Sequence, residues 1–164
     1  MIVARQRGQG RKGRPRRNEA QRILVVTEGT KTEPQYIERL NSHMRSKAST
    51  AIVKSVGVGK DPLHVVQKCV SLRDAAVKRK KPYDVCVCLV DVDQHETLQE
   101  AAQLADTEAV SLLITNPKFE TWLCWHAEDK RSALTSSELD HRAEKLELVL
   151  DKSISPHFPI SEVG

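Results

Sequence analysis

Aromatic residues make up only 4% of this 164-residue chain, so whatever core it builds is aliphatic. No uninterrupted apolar run approaches the ~18 residues that a membrane span needs, and the basic N-terminus leads into no hydrophobic stretch of export-signal length. The four cysteines, Cys69, Cys86, Cys88 and Cys124, form no CxxC pair. That speaks against a zinc ribbon and a secreted disulfide scaffold, and for reduced core thiols in a cytoplasmic protein without a membrane partner. A hydrophobic fraction of 39% in a chain of this length can bury a core without staples.

Acidic residues are absent from residues 1–17, which instead hold Arg5, Arg7, Arg11, Lys12, Arg14, Arg16 and Arg17. Those are seven of the 26 basic residues, which leaves 19 basic against 22 acidic groups, a net of −3, in the remainder. The overall +4 is therefore the property of a leader. With Gly8, Gly10, Gly13 and Pro15 interspersed, residues 1–17 are expected as a disordered basic tail. Its arginines and lysine suit nucleic-acid phosphates, and they equally suit a solubilising leader.

Beyond this leader, strand and helix signals alternate. Ile23 to Val26 is a continuous apolar, β-branched run, as a strand buried on both faces requires. Pro34 opens a helix whose stripe is Tyr36, Ile37, Leu40 and Met44. Ala51 to Val53 reads as a short strand ended by Gly57-Val58-Gly59, and Asp61-Pro62 caps a second helix carrying Leu63, Val66, Val70 and Val77. Val85 to Val90 is the clearest strand, and it stops at Asp91-Val92-Asp93. A helix over about 96–106, a strand over 110–114, a helix begun by Asn116-Pro117 and a last helix near 137–151 complete the order. This alternation predicts an α/β fold with a roughly four-stranded, mainly parallel sheet flanked by helices.

In such sheets functional groups collect at the carboxyl ends of the strands. Three of the four expected strands place acids there: Glu28 and Glu33 after the first, Asp91 and Asp93 after the third, Glu120 after the fourth. Clustered carboxylates repel and raise one another's proton affinity, and a divalent cation removes that cost. Oxygen donors of this kind suit Mg²⁺ or Mn²⁺. The alternative is that these acids are caps and first-turn residues that complement helix dipoles. Gly29 allows a sharp turn or a close approach of backbone to phosphate.

Thr27-Glu28-Gly29-Thr30-Lys31-Thr32-Glu33, Asp91-Val92-Asp93 and Asn116-Pro117-Lys118-Phe119-Glu120-Thr121-Trp122-Leu123 together resemble the RloB family, a branch of the Toprim superfamily. The resemblance spans roughly residues 16–127 and includes the basic leader. It implies a Toprim-like domain over 18–127, with Glu28, Asp91 and Asp93 as metal ligands and Glu33 and Glu120 as further acids of the catalytic group. Related overcoming-lysogenization-defect nucleases hydrolyse phosphodiesters with Mg²⁺, which sets the expectation of a nuclease in bacterial anti-phage or restriction-associated defence. Expected partners are DNA or RNA, an ATPase and further copies of the chain. Arg11, Lys12, Arg14, Arg16, Arg17 and Lys31 are the expected nucleic-acid contacts. Chains of that family run longer after the Asn-Pro-x-Phe-Glu helix, so residues 128–164 are expected as a helix and an irregular, truncated tail.

A different class of function stays open: a binding or effector-interaction module that keeps the fold without turnover. Other signals are weaker. Gly57-Val58-Gly59-Lys60 lacks the first glycine and the hydroxyl of a phosphate-binding P-loop. His95 reads as a surface histidine, Trp122, Trp125 and His126 as packing residues, and Lys78 to Lys81 as a solvated helix end or an added phosphate surface.

Overall fold

A computed structural model gives the structure of the protein over residues 20–46, 51–92, 96–129 and 132–160. Strands β1 (Arg22–Thr27), β2 (Ile52–Gly57), β3 (Val85–Asp91) and β4 (Ser111–Thr115) form one sheet in the order β2-β1-β3-β4. Every pairing in it is parallel. The chain leaves β1 through helix α1 (Thr32–Ser46) to reach β2, then crosses back through α2 (Pro62–Lys78) to set β3 on the other side of β1. Helix α3 (Leu98–Thr107) leads on to β4, followed by α4 (Glu120–Ala127) and α5 (Ser136–Lys145). The strand order reverses between β1 and β3, the switch point at whose carboxyl ends open α/β sheets place their functional groups.

Two cores explain why the central strands read as continuous apolar runs. On one face Leu24, Val26, Cys86, Cys88 and Val90 meet Val65, Val66 and Cys69 of α2 and Ala101 and Ala105 of α3. On the other, Leu89 meets Tyr36 of α1, Phe119 and Leu123 of α4, and Leu139 and Ala143 of α5. All four cysteines are free and buried, as the aliphatic patterning anticipates. Strand β4 forms an edge, and its Leu113 and Ile114 are exposed.

Local chemistry sets the element ends. Asp61 caps α2 by accepting from the Leu63 and His64 amides at 3.1 and 3.3 Å, with Pro62 at the first helical position. Thr135 and Glu138 form a reciprocal capping box on α5. Helix α4 begins at Glu120 rather than at Asn116-Pro117, which precedes it as a cis peptide.

The last helix is shorter than its leucine spacing predicts. Glu147 adopts φ 55°, and the Leu148 and Glu147 amides donate back to Ala143 and Glu144, a Schellman ending without the usual glycine. The segment expected to be irregular then forms a hairpin, β5 (Val149–Leu150) with β6 (Ser153–Ile154). Its Val149, Ile154 and nearby Phe158 complete the second core. Truncating Leu24, which is wholly buried in β1, to alanine should cost about 2–5 kcal/mol in urea unfolding. A loss below about 1 kcal/mol would contradict this packing.

Candidate functional site

All four parallel strands end at one edge of the sheet, and the expected acids lie along it. Glu28 is the first residue past β1, and its amide donates to the Leu89 carbonyl at 3.0 Å, which extends the β1–β3 ladder. Its carboxylate turns inward and accepts the Asp91 amide at 3.1 Å. Asp91 is the last residue of β3, in register with Thr115 at the end of β4. The Thr115 hydroxyl donates to the Asp91 carboxylate.

Helices bring two more acids to the same edge. Glu33 lies in the first turn of α1 and is buried. Its carboxylate folds back over Gly29 so closely that a Cβ there would meet Glu33 Oε2 at 1.9 Å. Gly29 therefore serves chiefly to leave room for that carboxylate. Glu120 opens α4 and is half-buried. Tyr36, one turn beyond Glu33, shares a hydrogen bond with His126 Nε2 at 3.0 Å and packs edge-on against Phe119 at 5.4 Å. These contacts tie α1 to α4 and fix Glu33 relative to Glu120.

The four carboxylates act as one electrostatic group. Glu33 is pushed up to about 7, mainly by burial, opposed by its own backbone amide and reinforced by the charges of Asp91, Glu120 and Glu28. Asp91 is pushed up to about 6, again mainly by burial, with the Thr115 hydroxyl opposing and Glu28 and Glu120 reinforcing. Glu120 is also raised by burial, against its own amide and the nearby Lys118 charge. Lys118 is held in place by Asp140, at 2.5 Å.

Glu28, Glu33, Asp91 and Glu120 are thus brought together. Asp93 and the tail residues Arg11, Lys12, Arg14, Arg16 and Arg17 lie outside the described residues, as does His95. Lys31 is exposed beside the group. Lys78 sits at the opposite, amino end of β3, remote from this edge. Among the described residues, no three His, Cys, Asp or Glu side chains are arranged as a metal-ligating cluster. Glu28 and Asp91 are turned to protein donors, the Asp91 amide and the Thr115 hydroxyl. Thr115 is a site residue that the acidic motifs do not announce. Its only signal in the sequence is a hydroxyl in the last strand residue before Asn116-Pro117.

The RloB family profile, described as RloB-like protein, matches residues 23–158. The chain belongs to the RloB-like family. The match runs beyond the three acidic motifs and takes in α5 and the β5–β6 hairpin. A search of curated proteins found none that matches this RloB-like chain.

The raised carboxyls carry a stability signature. Between about pH 4.5 and pH 7 native Glu33 keeps a proton that the unfolded chain has released. Native proton uptake then exceeds unfolded uptake, so its contribution to stability falls as pH rises through that window. Asp91 adds the same sign between about 3.8 and 6. Glu33→Gln should be stabilised relative to the intact chain at about pH 8 and gain little at about pH 5, by denaturant unfolding. An equal gain at both would contradict the raised proton affinity.

Proposed function

We propose that this RloB-like chain is a Toprim-type, metal-dependent nuclease that hydrolyses phosphodiesters of DNA or RNA. One observation carries the proposal: four carboxylates from two strand ends and two helix starts share one electrostatic field at the carboxyl edge of a parallel sheet. Burying acids side by side destabilises a fold unless a cation or a proton sits among them. The donors are oxygens throughout, while the cysteines lie within the two cores, so the set fits Mg²⁺ or Mn²⁺ and not zinc.

Glu28 and Asp91, with Asp93, are the residues that would hold the cation. Once bound, it supplies an activated water and stabilises charge on the leaving oxygen. The protein's own part comes from the geometry. Thr115 orients Asp91 through its hydroxyl. Glu33, whose proton affinity is raised by burial and by its acidic neighbours, would be left as a carboxylate once a cation enters and is then suited to take a proton from water. Glu120 neighbours that exchange, and Lys118 keeps positive charge beside Asp91 and Glu120. The biological setting proposed from the resemblance is bacterial defence against phage.

The second reading, a binding module without turnover, draws on one observation. No three of the described acids are set for shared coordination. Incubation of the full chain with labelled single- and double-stranded DNA and RNA in Mn²⁺ separates the two. Cleavage that falls about 100-fold or more in Asp91→Asn, and about 10–100-fold in Thr115→Val, is the expected result. Cleavage that survives Asp91→Asn would sink the proposal, and binding of these oligonucleotides with no cleavage of any of them would favour the module.

A further inference from the structure

The β5–β6 hairpin meets the sheet at one particular place. Its two-residue turn, Asp151-Lys152, has φ of 48° and 58°, the doubly left-handed form of a tight hairpin. The Lys152 carbonyl accepts the hydroxyl of Thr32, Glu33's neighbour, at 3.3 Å. Further along α1, Gln35 accepts the Ile154 amide at 2.8 Å, and Arg39 donates to the carbonyls of Ile154 and Ser155. One face of α1 therefore holds the hairpin in a fixed register, with its tip beside the acidic group.

Lys152 has counterparts on the neighbouring loops. Lys31 belongs to the Glu28–Glu33 segment itself. Lys60 follows Gly59, whose amide donates to the Glu28 carbonyl at 2.8 Å and whose Cα faces the Thr30 methyl. All three lysines are exposed, and among the described residues none joins an ion pair. Lys31 lies in the segment that carries Glu28 and Glu33, Lys152 accepts from it through its carbonyl, and Lys60 follows a residue that bonds to it. Three exposed lysines with no ion pair thus stand on the loops and the hairpin turn at the edge of the sheet that carries the acids.

The second position of such a turn favours glycine, and lysine holds φ 58° there only against its steric preference. The same conformation recurs at Lys80, Ala109 and Glu147, so what marks Lys152 is its place against Thr32, beside Glu33.

We propose that Lys152, with Lys31 and Lys60, forms a rim that grips the sugar–phosphate backbone of a polynucleotide and lays it across the acidic edge. The rim depends on the proposed nucleic-acid function of the same site. It supplies sequence-independent phosphate contacts, and the hairpin makes the C-terminal part of the chain a component of the substrate surface.

A matched pair of variants tests it in the full chain. Lys80 has the same φ of 58° at the other end of the sheet, so Lys80→Gly and Lys152→Gly relieve the same strain and remove the same charge. Binding of fluorescein-labelled single-stranded DNA and RNA is read by anisotropy in Ca²⁺ at several salt concentrations, beside the melting temperature. Both variants should melt no lower than the intact chain. Only Lys152→Gly should bind several-fold more weakly, with a log–log salt slope smaller by about 0.7, and Lys31→Gln and Lys60→Gln should follow it. Equal binding by Lys80→Gly and Lys152→Gly would overturn the rim. If Asp91-dependent cleavage persists in that case, the nuclease reading stands without it. An intact chain that binds no oligonucleotide would remove both.

Discussion

Parallel pairing of β1 with β3 holds together two carboxylates that repel one another, and the rest of the molecule is arranged around that constraint. The ladder runs one step past β1, to the Glu28 amide, before the chain turns. That step brings the Glu28 carboxylate onto the Asp91 amide. Register, more than side-chain choice, fixes this contact. A slip of one residue would turn Leu24 and Val26 out of their core. The acids' placement is thus secured by the same apolar burial that stabilises the sheet.

Helix α1 carries the constraint outward. Its first turn supplies Glu33, its buried face supplies Tyr36 to the second core, and its polar face holds the hairpin through Thr32, Gln35 and Arg39. The same helix therefore positions an acid, joins α4 through His126, and seats the C-terminal turn. Gly29 is the complement of this arrangement, since any side chain there would evict the Glu33 carboxylate. Raised proton affinity comes from burial first and mutual charge second, so the site stores electrostatic cost that a cation or a proton relieves.

The sheet is legible in the sequence because Ile23 to Val26 and Val85 to Val90 are unbroken apolar runs, and only a doubly covered parallel strand wants such a pattern. Glu28 and Asp91 are legible for the same reason, as acids within two residues of the ends of those runs. Asp61-Pro62 announces its helix through cap chemistry that needs no tertiary partner. The hairpin is hidden: each strand has two residues, too few for periodicity, and its turn uses Asp-Lys in place of an asparagine–glycine signal. Leu146 and Leu150 continue the helical spacing of α5, while the stop comes from Glu147 in a left-handed conformation that glycine would have advertised. The burial of Glu33 depends on the space above Gly29, and no local pattern encodes that.

Calorimetric titration of Mn²⁺ into the full chain, with Asp91→Ala alongside, tests the cation site most directly. The carboxylate group predicts saturable binding to the intact chain that is lost in the variant. Near neutral pH it also predicts proton release, seen as a heat that changes with the buffer's ionisation enthalpy, because Glu33 and Asp91 give up protons as the cation enters. A folded, intact chain that takes up no Mn²⁺ at millimolar concentration would contradict the site.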